Sequence, residues 1–137
     1  MDLFFDSDEI QELNMVIIRL ILASIHTAEG KPEAAIFEYT DVLEYDPEIF
    51  LVYINRGALY AKLGRFDQAK RDFEIAIRLE PKIAFTYIRR GDVFLAEGNC
   101  ERAEADYLKC LELSPNNKTA TQRLKSLRKS VRRPDHL

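Results

Sequence analysis

Three prolines, Pro47, Pro81 and Pro115, stand 34 residues apart, and three glycines, Gly30, Gly64 and Gly98, keep the same step. A fixed period of this length means that one supersecondary unit is written several times over, each copy burying its apolar face on the next. Ala35, Ala69 and Ala103 obey the period, as do Tyr39, Phe73 and Tyr107, then Val42, Ala76 and Cys110, then Ala23, Gly57 and Gly91. Large and small positions are both kept, so the period is one of packing and not only of composition.

Between these marks apolar residues recur at helical spacing, which predicts two antiparallel helices per unit. Gly30, Gly64 and Gly98 are placed to end the first helix of each pair, because glycine tolerates the left-handed backbone that follows a helix C-terminus. Pro32 suits the opening turn of the helix that follows, and Pro47, Pro81 and Pro115 mark the turns between units. The small residues Gly57, Gly91, Ala69 and Ala103 let backbones approach, while Tyr60, Phe73, Phe94 and Tyr107 fill the space between layers.

The middle unit runs Tyr53, Gly57, Tyr60, Ala69, Phe73, Ala76, Pro81, and the next runs Tyr87, Gly91, Phe94, Ala103, Tyr107, Cys110, Pro115. This pattern resembles the tetratricopeptide repeat. The resemblance implies an all-α fold, a right-handed superhelical stack of antiparallel helix pairs with about seven helices. Repeats are expected at 16–49, 50–83 and 84–117, after an acidic segment at 1–15 that partly extends the first helix. A capping helix at 118–132 and a tail at 133–137 follow. The first repeat departs from the pattern in its opening half, with Arg19 and His26 at the aromatic places, as terminal repeats commonly do. In the cap, Ala120, Leu124, Leu127 and Val131 form an apolar line among basic residues whose own face is read as solvated.

Composition excludes several classes. With 47% hydrophobic and 31% charged residues the chain is apolar enough to fold. The apolar run from Met15 to Ile25 is interrupted by Arg19 and is shorter than the roughly 20 residues of a membrane span. The acidic start, with Asp2, Asp6, Asp8 and Glu9, is unlike a secretory leader, so an intracellular, cytoplasmic location is expected. Cys100 and Cys110 fall about 15 Å apart along one helix and are read as free thiols; with only His26 and His136 beside them, no metal site is expected. Neither a phosphate-cradling glycine loop nor a nucleophile paired with a base occurs, so no catalytic residue and no cofactor is assigned.

Asp6 and Glu9 have the spacing of a capping box, which starts the first helix near Ser7 and carries it to Glu29. On that helix Met15, Ile18, Leu22 and Ile25 form one stripe, taken as the surface that packs within the array. A second stripe, Ile10, Leu13, Ile17, Leu20 and Ile21, faces elsewhere. Its cover is expected to be a partner helix, a second copy in a homodimer, or the segment Leu3, Phe4, Phe5 folding back; completion of the core by the N-terminal segment is the plainer alternative.

The resemblance further implies that the first helix of each pair lines a concave groove. Leu51, Ile54, Asn55, Ala58 and Lys62, then Phe85, Ile88, Arg89 and Asp92, would present that wall to a protein or peptide, with Asn55 bonding backbone and Arg89 pairing a carboxylate. An Arg89–Asp92 surface pair is the plainer reading of that arginine. Family members that bind chaperone C-termini use a carboxylate clamp. Asn55 and Arg89 match it, whereas Leu20, Ser24 and Phe85 stand where the clamp has Lys, Asn and Lys. The function expected is a scaffold or adaptor, with a co-chaperone-like tail receptor as one alternative. Nucleic-acid binding through the basic run from Lys118 to Arg133 is the other; that run lacks interleaved aromatics, and a solubilising cap or an acidic protein partner is favoured.

Overall fold

The computed structural model describes residues 6 to 132 of the chain. Among them are seven helices and no strands: α1 Ser7–Ala28, α2 Pro32–Tyr45, α3 Phe50–Lys62, α4 Phe66–Leu79, α5 Ala84–Ala96, α6 Cys100–Leu113 and α7 Lys118–Arg132. α1 packs on α2, α3 on α4 and α5 on α6 as hairpins; α2 against α3, α4 against α5 and α6 against α7 join each layer to the next.

The period expresses itself in how each first helix stops. Gly30, Gly64 and Gly98 have φ of 72°, 75° and 79°, a backbone that side chains disfavour. That turn lets the next N–H reach back to the helix: Lys31 donates to the His26 carbonyl at 2.8 Å, Arg65 to Tyr60 at 2.9 Å and Asn99 to Phe94 at 2.8 Å. Each is the long bond of a Schellman cap, which satisfies carbonyls otherwise left open at the helix end. At the other end of the hairpin, the Tyr53 hydroxyl donates to the Pro47 carbonyl and that of Tyr87 to Pro81, both at 2.8 Å. Asp6 and Glu9 close the capping box of α1 with bonds of 2.8 and 3.1 Å.

Two clusters make the core, one under α1 to α4 that also takes in Val93 of α5 and one under α5 to α7, with Phe73 and Tyr107 fully buried. Their rings lie against Gly57 and Gly91, so close that a Cβ there would come 2.8 Å from Phe73 Cε1 and 2.7 Å from Tyr107 Cε1. Ala120, Leu124 and Leu127 of α7 are buried as the end cap; Val131 lies outside the described side chains. The basic face of α7 is not wholly solvated, because Arg123 bonds Asp92 of α5 at 2.9 Å.

α1 departs from expectation in which face it buries. Its core contacts run through Val16 and Ala23, with Leu20 partly buried, while Met15, Ile18, Leu22 and Ile25 stand exposed. They point to the side opposite the next layer, and among the described residues no helix packs there. The second stripe is open too, at Ile10, Leu13, Ile17 and Ile21. The proposed covering segment Leu3, Phe4, Phe5 lies outside the described residues. By length and composition alone α1, 22 residues containing an 18-residue window with a mean hydropathy of 1.2, is long and apolar enough to cross a membrane, which the run from Met15 to Ile25 understates. One side of it is nevertheless packed on α2.

Cys100 is exposed and Cys110 buried, both as free thiols, and burial pushes the Cys110 thiol pKa up. The native chain therefore should show one thiol that reacts at once with a disulfide reagent and one that reacts only on unfolding. Two equally fast thiols would mean that α6 opens far more readily than its packing implies.

Candidate peptide-binding groove

α1, α3 and α5, the first helices of the three hairpins, contribute to one hollow of about 750 Å3, lined by Ser24, Thr27 and Ala28, by Asn55, Ala58 and Lys62, and by Arg89, with Tyr39 of α2 in its floor. The spacing explains the gathering: Asn55 and Arg89 are one period apart, at the same place in successive repeats, and Lys62 lies two helical turns beyond Asn55. Asn55, Lys62 and Arg89 are all exposed. Among the described residues neither Lys62 nor Arg89 has a hydrogen bond or ion pair within the chain, so two cations and an amide face the hollow uncommitted.

A second, shallower hollow of about 340 Å3 adjoins it across Ser24 and is lined by Ile17, Leu20, Ile21 and Ile25. The wall is therefore two-toned, aliphatic along α1 and basic toward α5. Leu51 and Phe85 are exposed at the starts of α3 and α5.

Three of the groove residues expected from the sequence lie elsewhere. Ile54 and Ile88 are core residues, 2% and 8% exposed. They share one column of the repeat with Leu20, and in α3 and α5 that column is turned against the neighbouring helices. Asp92 belongs to the junction with the cap: it accepts from the Tyr107 hydroxyl at 2.6 Å and from Arg123 Nε at 2.9 Å. Burial, reinforced by the bond to Asp92, pushes the Tyr107 phenol pKa well up. An Arg89–Asp92 pair does not form; the Asp92 carboxylate is engaged by Tyr107 and Arg123. Conversely, Thr27 and Ala28 join the wall unannounced, although they follow Ser24 at the spacing of one helix face.

Chemically the hollow offers hydrogen bonds and positive charge beside apolar surface. Among the described residues, no three His, Cys, Asp or Glu side chains are placed to share a metal ion.

Fold and wall together define a helical-repeat protein. Tetratricopeptide repeat models match residues 18–49, 50–83 and 86–117, and the chain belongs to the tetratricopeptide repeat family. Among solved structures it is similar to the first TPR of Spaghetti (RPAP3) bound to the HSP90 peptide SRMEEVD, with 30% identity over 86% of this chain and 94% of that one, and a TM-score of 0.80. The Arabidopsis OM64 TPR domain gives 27% identity, coverage of 87% and 98%, and a TM-score of 0.82. The second TPR domain of human RPAP3, solved with the HSP70 peptide SGPTIEEVD, gives 28% identity, coverage of 85% and 98%, and a TM-score of 0.79. No curated protein sequence matches the chain significantly.

Proposed function

We propose that this chain is a protein-interaction scaffold that binds a peptide or amphipathic helix along the wall formed by α1, α3 and α5. One observation carries the reading: Asn55, Lys62 and Arg89 converge, uncommitted, on a hollow that continues into the aliphatic surface of α1. A ligand with apolar side chains followed by a carboxylate matches both halves. Its apolar part lies over Ile17, Leu20 and Ile21, and its carboxylate meets Arg89 and Lys62.

A second reading, receptor for an acidic chaperone tail, is favoured by the bound peptides of two similar structures. Against it, Leu20 and Phe85 put hydrocarbon where the clamp of such receptors places lysines. Fluorescence polarisation separates the two. A labelled peptide of apolar residues ending in a single acidic residue should bind the native chain more tightly than SRMEEVD, and Arg89→Ala should weaken it about tenfold, the worth of one charge-assisted hydrogen bond. Leu20→Lys combined with Phe85→Lys should reverse the preference. Affinity unaffected by either change would move the site off this wall.

A further inference from the structure

The open end of the stack is a built surface, and the period shows what it is built for. Ile18 occupies the repeat position held by Val52 in α3 and Thr86 in α5, which are 3% and 1% exposed. Ile25 occupies the position of Leu59 and Val93, which are 7% and 3% exposed. In α3 and α5 those positions are covered by the layer before them. In α1, the first of the described helices, the same positions stand at 47% and 45%. Met15 and Leu22 extend the surface along α1, and Tyr45 extends it onto α2. A hollow of about 440 Å3 between the two helices, with Met15, Val16 and Val42 among polar walls of Asp8, Glu12, Arg19 and Asp41, lies open beside it.

Leu22 sharpens the argument. One and two periods later the residue at its position is Arg56 and Arg90, each bound to an aspartate of its own hairpin. In α1 that arginine is replaced by a leucine, and the acid of its hairpin, Glu38, is taken by Arg19 from the flank at 2.9 Å. The charge is thus moved to the rim and the centre left aliphatic, the layout of an interface core with a polar border.

We infer that this end is the interface of a two-fold dimer, in which α1 of one chain packs on α1 of a second copy. The other end of the molecule does not fit the surface. α7 is covered on its apolar side by α6, and it turns Lys125 and Lys129 outward, so head-to-tail stacking would set ammonium groups on isoleucines. A face-to-face pair matches hydrocarbon with hydrocarbon. It also closes, whereas a head-to-tail contact would propagate. A helix 22 residues long offers a strip about 33 Å in length. A stable, specific interface needs about 1,200 Å2 in all, and this strip with the flanking part of α2 is the surface each copy would bring to it.

The test is light scattering coupled to size exclusion on the full chain from about 1 to 50 μM. The native protein is expected at twice the chain mass across the upper range. Ile18→Glu with Ile25→Glu is expected at one chain mass, with the dissociation constant raised at least a hundredfold. Both side chains are half exposed in the single chain, so helicity by circular dichroism should be retained; if it is not, Ile18→Asn with Ile25→Asn gives the same comparison. Leu108→Glu, an equally exposed leucine on α6, should leave the dimer intact. Four outcomes overturn the inference: a native chain that is monomeric at 50 μM, mass that climbs without limit, a dimer indifferent to the α1 substitutions, or a monomer that floats with neutral phosphatidylcholine vesicles through this face.

Discussion

Phe73→Ala lowers the unfolding free energy by about 3–5 kcal/mol, a large part of the margin that holds a domain of this size together. The ring is completely buried between α3 and α4, and the glycine it rests on leaves no atom able to follow the vacated space. Urea unfolding followed by circular dichroism measures the loss, and a cost below about 1 kcal/mol would mean that the contact within the hairpin collapses freely around the hole. The same ring explains Gly57. Alanine in mid-helix is ordinarily better than glycine by about 1 kcal/mol. Here its Cβ would meet Phe73 Cε1 at 2.8 Å and Asp72 Cβ at 3.2 Å, so Gly57→Ala destabilises, by about 1–3 kcal/mol. In a Phe73→Leu background the ring edge is gone and the penalty falls by at least about 1 kcal/mol. Strict additivity of the two changes would separate the glycine from the ring.

That pairing of glycine with aromatic is the part of the fold the period makes legible. A repeat places Gly57 above Phe73 and Gly91 above Tyr107 by the same arithmetic that aligns them, and the Schellman caps at Gly30, Gly64 and Gly98 follow from glycine at fixed offsets. The direction of α1 was less legible for a physical reason. Apolar residues cover more than half of its circumference, so hydrophobicity alone does not say which stripe packs; two small contacts, Val16 and Ala23, decide it, and they are the inconspicuous ones. Counting from them, Ile18 falls on the open end, Ile17 and Ile21 fall on the groove, and Ile25 lies on the border between the two. The groove residues were legible where the period repeats a polar side chain, as at Asn55 and Arg89, and illegible where one helix carries groove and core faces side by side. Leu51 and Ile54, or Arg89 and Asp92, lie only three residues apart, and that rotation separates an open wall from a packed one.

Asp72→Ala is the polar counterpart of the ring deletion and should cost about 2–4 kcal/mol. Arg56 Nε and Nη2 donate to the two oxygens of Asp72 at 2.8 and 2.7 Å, and Nη1 reaches Thr40 of the preceding hairpin at 3.2 Å. Arg90 and Asp106 repeat the fork at 2.9 and 2.8 Å. Removing the acid leaves a guanidinium packed between layers without its partner, and the figure is set below that for a fully buried pair because the Arg56 side chain keeps 16% exposure. The two members shift in opposite senses for their charges: desolvation pulls the Arg56 guanidinium pKa down, yet its bonds to Asp72 leave it above its ordinary range, which favours its charge. Burial pushes the Asp72 carboxyl above the usual carboxylate range even against the Arg56 hydrogen bonds that pull it down. The sign follows: the folded chain binds this proton more readily than the unfolded one. Between the ordinary carboxylate pKa and the raised one, Asp72 therefore adds stability as pH falls. Arg56→Leu with Asp72→Leu should then unfold within about 1 kcal/mol of the native chain, in contrast to either single change. On that result the fork's contribution lies in setting how one hairpin is turned on the next through Thr40, a difference that would appear as broadened amide resonances in the double variant at unchanged stability. A double variant as unstable as Asp72→Ala would make the pair a net stabiliser and leave the raised carboxyl without a consequence for folding.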